Sequence, residues 1–289
     1  MATADEKMHD GMLALAFCNE LLAADGLSFR DQCQQIRSLG YDGIELAPGA
    51  LGINPLNATD AEILSIRREI NAAGLHLTGL HWLLAPFRDL SVTLSSSRQE
   101  TIDALKRLNS LCAALGGSVM VHGSPQQRVI KAGDYAAGYS NACEVFKPVA
   151  EHASELGLTY CIEPLDPGQT AFINTVEQGI ELCEAVGNPS FVTMIDTSSA
   201  HFSEEKPVAA LMKEWLPDPR IGHIHLNDSN RGGPGMGSDP FGDIVEAIVE
   251  SGWPKTVTIE PFRVQENATN TARIGIETIR KHEKLQMTT

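Results

Sequence analysis

No apolar run in this chain approaches the ~20 residues that cross a bilayer, and no Ser/Gly linker, low-complexity block or run of like charge divides it. Basic residues are scarce. Against 37 Asp and Glu there are 22 Lys and Arg, a formal net charge of −15. Nucleic-acid binding depends on clustered Lys and Arg, and anionic bilayers attract basic segments, so this charge argues against both partners. The six cysteines (Cys18, Cys33, Cys112, Cys143, Cys161, Cys183) form no C-x-x-C pair, and several sit in apolar runs such as L-T-Y-C-I. Packed, reduced thiols are expected in place of a disulfide framework. The opening M-A-T-A-D-E-K-M-H-D is polar and mixed in charge, unlike a signal peptide, and a cytoplasmic protein is expected. The nucleotide-binding patterns G-x-G-x-x-G after the first strand and G-x-x-x-x-G-K-[ST] are also missing.

What is present is one repeating pattern over 289 residues, 43% of them hydrophobic. A short apolar run ends in polar residues, an amphipathic stretch follows, and a Gly marks the return. Strands are expected at Leu13–Cys18, Gly43–Leu46, Leu77–Leu80, Ser118–Val121, Thr159–Ile162, Phe191–Ile195, Ile221–His225 and Thr256–Ile259. Their continuous Val/Ile/Leu character suits strands buried on both faces. Helices are expected at Phe29–Leu39, Asp60–Ala73, Arg98–Leu115, Tyr135–Leu156, Val176–Val186, Val208–Trp215, Phe241–Ser251 and Thr271–Lys281, five of them closing on a Gly: Gly40, Gly74, Gly116, Gly157 and Gly187. Eight strands alternating with eight helices predict an α/β fold, a (β/α)8 TIM barrel in a single domain spanning residues 1–289. Residues 1–11 and 283–289 are expected to form flexible ends.

In a parallel barrel the active site gathers where strands end. Strand five ends Y-C-I-E-P at Glu163, strand six T-M-I-D-T at Asp196, strand seven carries His223 and His225 in H-I-H-L-N-D, and strand eight ends V-T-I-E-P-F at Glu260. A carboxylate directly after a buried run is costly unless its charge is compensated. Any one of these alone reads as a loop or capping residue. Four on successive strands point to a divalent cation held by three carboxylates and an imidazole. His223 and His225, two apart, share a direction on a strand, and His225 lies nearer the end. Elsewhere His81 and Trp82 follow strand three, His122 ends strand four, Arg128 follows it, and Glu45 ends strand two as a pocket candidate without an assigned role.

The ordered set I-E-P-L at 162–165, M-I-D-T at 194–197, I-G-H-I-H at 221–225, N-R-G-G-P-G-M-G at 230–237 and I-E-P-F at 259–262 resembles the xylose isomerase-like barrels, specifically the ketose 3-epimerases. L-G-Y-D-G-I-E-L at 39–46 and G-L-H-W at 79–82 resemble the wider superfamily. The resemblance implies that Glu163, Asp196, His225 and Glu260 ligate one divalent metal ion, Mn²⁺ with Mg²⁺ or Co²⁺ as alternatives. It also implies that Glu163 and Glu260 are the catalytic pair, that Arg231 reaches substrate hydroxyls, and that the chain is a homo-oligomer, dimer or tetramer. Such an enzyme would isomerise or epimerise a small sugar through an enediolate, the metal polarising carbonyl and hydroxyl oxygens while two carboxylates move the proton. Three oxygen ligands and one nitrogen, with room for two substrate oxygens, favour Mn²⁺ or Mg²⁺ over a closed zinc site.

The pattern departs from the family's D-x-x-H, since D-T-S-S-A-H puts Ser199 where His is usual and His201 two further on. Ser199 and His201 are therefore expected, with Arg231, His81, Trp82 and His122, to bind substrate. Alternative activities on the same barrel are an aldose–ketose isomerase, a hydroxypyruvate isomerase and a keto-inositol dehydratase. Outside that class stand an apurinic-site endonuclease, read from His81, His122 and Glu163, and a sugar-binding barrel without turnover.

Overall fold

The computed structural model describes residues 12–130 and 133–286, so the flexible start expected over residues 1–11 lies outside the described residues. Eight parallel strands close into a barrel in sequence order: β1 Leu15–Cys18, β2 Gly43–Leu46, β3 His76–Leu80, β4 Val119–His122, β5 Thr159–Ile162, β6 Phe191–Asp196, β7 Ile221–Leu226 and β8 Val257–Ile259, with β8 pairing back onto β1. Ten α-helices lie among the described residues: α1 Glu20–Ala24, α2 Phe29–Leu39, α3 Asp60–Ala73, α4 Arg98–Leu115, α5 Tyr135–Glu155, α6 Val176–Val186, α7 Thr197–Ser203, α8 Val208–Trp215, α9 Phe241–Glu250 and α10 Ala268–Gln286. The (β/α)8 TIM barrel is thus as expected. None of these helices is long and apolar enough to cross a membrane, and all six cysteines are free.

Helix ends follow local chemistry. Thr59 and Thr175 form reciprocal capping boxes with Glu62 and Gln178 at the starts of α3 and α6. Gly40, Gly74, Gly116 and Gly187 close their helices in the left-handed conformation that a Cβ disfavours. Two short helices, α1 and α7, were not expected, being too brief to show a hydrophobic period. At the other end α10 runs past residue 283, where a tail was expected. Glu283 there is buried, accepting the Leu13 N–H at 2.6 Å and an Arg280 N–H at 2.8 Å.

Strand pleating sorts side chains into two layers. On β5, Cys161 turns inward and packs with Val119, Val121, Val192 and Met194 in a small interior cluster. Tyr160 belongs to the larger layer between barrel and helices, where its ring, Phe146 and Phe191 lie with centroids 4.8–6.0 Å apart. The next inward position after Cys161 is Glu163, just past the strand. The same alternation carries Val192 and Met194 on to Asp196.

On β7 the alternation is broken once. Thr193 pairs with Ile221 and Ile195 with Ile224, so β7 holds one extra residue against β6. That bulge lets Gly222 and His223 both face the interior. A Cβ on Gly222 would collide with Val192 Cγ2 and lie 2.7 Å from Cys161 Sγ, so only Gly fits there.

Candidate metal centre

Glu163, Asp196, His225 and Glu260, one from each of the last four strand ends, each bring one donor atom within 4.8 Å of the others. All four are buried. His225 Nδ1 lies 2.9 Å from Glu260 Oε2 and 3.4 Å from Glu163 Oε1. Asp196 is held from two sides, Oδ1 accepting the Ser199 N–H at 2.6 Å and Oδ2 accepting from Asn227 Nδ2 at 2.7 Å. It therefore caps α7 and joins the donor cluster at once. The Glu163 carboxylate occupies space left by Gly123, where a Cβ would collide with Oε2. Its carbonyl accepts a 2.7 Å bond from Nη1 of the fully buried Arg128.

Crowding these charges away from water disturbs them in a readable way. Burial, then the charges of Glu163 and Glu260, pushes Asp196 up to about 7. Burial and the Glu260 charge likewise raise Glu163. Burial also opposes ionisation of Glu260, but His225 and His81 outweigh it and hold that carboxyl below its usual range. Three buried carboxylates facing the imidazoles of His225 and His81 still leave excess negative charge, which a divalent cation would relieve. The donor set fits such an ion: three oxygens and one nitrogen suit a hard or borderline divalent cation.

Beneath the cluster lies a carboxylate that sequence left without a role. Glu45 is fully buried and accepts from His225 Nε2 at 3.1 Å, His223 Nε2 at 2.9 Å and Thr258 Oγ1 at 2.7 Å. Burial disfavours its charge, yet His223 and His225 hold its carboxyl well below the usual range. With Nε2 fixed on Glu45, His225 turns Nδ1 toward the cluster. A carboxylate behind a ligating imidazole sets the ring's tautomer and orientation. Asn227 was also missed. Besides bonding Asp196 it donates to the Glu260 carbonyl at 3.1 Å and accepts the Ser198 N–H at 2.8 Å, tying the ends of β6, β7 and β8 together. Its place two residues after His225 was the available signal.

Of the expected substrate residues, Trp82, Ser199 and Arg231 line the cleft above the cluster, joined by Gln169 and Phe262. Arg231 adopts a left-handed backbone, φ 67°. Its N–H is bonded to the Asp228 carbonyl at 2.7 Å and its carbonyl accepts the Phe262 N–H at 2.8 Å. Its guanidinium lies 4.6 Å over the Phe262 ring, with Nη2 3.4 Å from Gln169 Oε1.

The other three are placed elsewhere. His201 projects from the exposed side of α7, against Phe202 and 3.6 Å from Asp239 Oδ1. His122 turns outward into the helix layer, bonding Tyr160 Oη at 3.0 Å and packing on Phe146. Neither lines the cleft, and the endonuclease ligand set of His81, His122 and Glu163 is not assembled. His81 is buried behind the cluster, its Nδ1 2.8 Å from Glu260 Oε1. Burial opposes its charge, but Glu20 and Glu260 more than offset this and lift it to about 10.

Known proteins share this architecture. The chain is 28% identical over 245 residues to the D-psicose 3-epimerase of Agrobacterium fabrum, covering 81% of this chain and 79% of that one. To a probable ketose 3-epimerase of Synechocystis sp. it is 27% identical over 265 residues, 90% and 86% of the two chains. The crystal structure of D-psicose 3-epimerase with D-tagatose from Clostridium cellulolyticum H10 superposes with a TM-score of 0.71 at 19% identity, over 96% of this chain and 97% of that one. Residues 33–282 match the family described as xylose isomerase-like TIM barrel. With eight strands closed in order and the match running through seven of them, the chain belongs to the xylose isomerase-like TIM barrel family.

Proposed function

We propose that this chain is a divalent-metal-dependent ketose 3-epimerase, an isomerase in which Glu163 and Glu260 move one carbon-bound proton. The observation that carries the reading is the pair itself. Two buried glutamates reach the floor of one cleft from β5 and β8, in a cluster whose remaining members are the donors Asp196 and His225. The relatives named as ketose 3-epimerases support the substrate class.

Glu163, Asp196, His225 and Glu260 would hold the ion, Mn²⁺ ahead of Mg²⁺ or Co²⁺. When bound it would supply Lewis-acid charge at a ketose's carbonyl and neighbouring hydroxyl oxygens. One glutamate takes the proton from the carbon beside the carbonyl, and the other returns a proton to the opposite face, inverting that centre. Because epimerisation runs both ways, each glutamate serves as base in one direction and as acid in the other. His81 and His225 hold the Glu260 carboxylate in place. Arg231 and Gln169 offer donors and an acceptor to sugar hydroxyls, and the Trp82 and Phe262 rings supply apolar walls that exclude water.

Glu163→Gln and Glu260→Gln keep the size and remove the base. Assayed on free ketoses with metal content measured in the same samples, each should lose about 10²–10⁴-fold in turnover. Full activity in either metal-loaded variant would remove that residue from the pair. The proposal extends to a homo-oligomer, dimer or tetramer, which sedimentation of the native protein tests.

A further inference from the structure

We propose a second divalent-cation site, formed by Cys18, Glu20 and His81 behind Glu260 and selective for a softer ion than the first. Cys18 ends β1, Glu20 opens α1, and His81 follows β3. Their donor atoms and one from Glu260 all lie within 4.8 Å of one another. None of the first three belongs to the four-residue centre.

What points to an ion is how incompletely these groups satisfy each other. His81 is fully buried, and its Nε2 lies 3.1 Å from Glu20 Oε2. The two form an ion contact that is not aligned as a hydrogen bond, so Nε2 and both Glu20 oxygens, all three shielded from solvent, have no hydrogen-bond partner. Two donors side by side at this spacing are what neighbouring ligands of one cation look like, with ligand bonds of about 2.0–2.2 Å. A carboxylate whose two shielded oxygens rest on a single ion contact is otherwise expensive.

The other nitrogen of His81 is already accounted for. Nδ1 meets Glu260 Oε1 at 2.8 Å, the outer carboxylate contact that orients a ligating imidazole. Glu260 Oε2 faces His225 instead, so this one carboxylate lies between the two donor clusters. Cys18 also falls close to Glu45 and His225, but the Glu45 oxygens are taken up by His223, His225 and Thr258. The Cys18–Glu20–His81 side is the one with open donors.

Binding would release the Cys18 and His81 protons, and the resulting thiolate, imidazole and carboxylate together select Zn²⁺ or Co²⁺ over Mg²⁺ and Mn²⁺. Three protein ligands leave a fourth position open. Glu20 also borders a cavity of about 500 Å³ shared with Ala47, Gly49 and Trp82.

Cobalt(II) distinguishes the two sites, because only this one contains sulfur. The full chain, stripped with chelator and reloaded with cobalt(II), should bind two ions and show a sulfur-to-cobalt charge-transfer band in the near ultraviolet. Cys18→Ser should abolish the band and leave one ion. Glu163→Gln should keep the band, so loss of the epimerase reading would leave this proposal standing. Should Cys18→Ser not fold, Glu20→Gln, altering a partly exposed side chain, should weaken the cobalt that gives the band by about tenfold or more. One ion with no band, or a band untouched by both Cys18→Ser and Glu20→Gln, overturns the second site.

Discussion

Glu45 shows how a residue that touches no substrate can govern a centre. It fixes Nε2 of His225, so Glu45→Gln should leave the fold intact yet weaken Mn²⁺ binding by roughly 10–100-fold. Titration of stripped protein with Mn²⁺, followed by electron paramagnetic resonance, checks this, and unchanged affinity would show that His225 needs no such support. The cleft makes a second statement at residue scale. Ser199 lines it while His201 points away, so His201→Ala should keep activity within about twofold, as for surface changes generally. Ser199→His, filling space above Asp196, should change relative kcat/KM across a panel of ketoses. Equal effects from the two variants would contradict this placement. Glu163, Asp196, His225 and Glu260 were legible as residues because each stands at the end of a short, mainly apolar run. His122 follows such a run equally well but sits one pleat out of phase, ending β4 where Gly123 takes the inward position. A motif read without phase cannot separate the two.

Among elements, the helices were more legible than the strands. Five of the eight expected helices have the boundaries that periodicity and capping residues predict, Phe29–Leu39 and Arg98–Leu115 among them. Six of the eight strands moved at an end by one or two residues, Gly43–Leu46 and Thr159–Ile162 being as expected, because a buried parallel strand has no alternation to mark its limits. The β7 bulge was invisible in sequence, since an extra residue changes pairing and leaves composition unaltered. Two predictions belong here. Phe146 on α5 packs against Tyr160 and Phe191, so Phe146→Ala should cost about 3–5 kcal/mol in denaturant unfolding; a loss below 1 kcal/mol would contradict the packing. Burial, and then Arg128, pulls His122 down to about 3. Between that value and the ordinary ~6.5 the unfolded chain binds the extra proton, so stability falls as pH falls through this window. His122→Phe should flatten the difference in melting temperature between pH 6.5 and 4, and a variant with the wild-type pH slope would exclude His122 as a source.

At the scale of the whole molecule, the barrel gathers three carboxylates and an imidazole from four strands to one end of its axis, in a chain already at −15. Removing a bound cation should therefore cost stability as well as activity. Mn²⁺ at about 100 times its Kd is expected to stabilise the fold by ~2.7 kcal/mol over chelated protein, and scanning calorimetry with and without chelator reads this directly. The closed barrel was legible from the count of eight, whereas the side of the barrel that carries Cys18, Glu20 and His81 was not. Those residues come from β1, α1 and the end of β3, with no shared motif, and only closure of β1 onto β8 brings them to Glu260. The central claim is proton exchange at one carbon of a ketose by two glutamates. Incubating the Mn²⁺-loaded protein with D-psicose or D-fructose in deuterium oxide, followed by nuclear magnetic resonance, tests it most directly. The account predicts the C3 epimer with deuterium at C3 in both sugars; an epimer formed without label, or no exchange in metal-loaded protein, would contradict it.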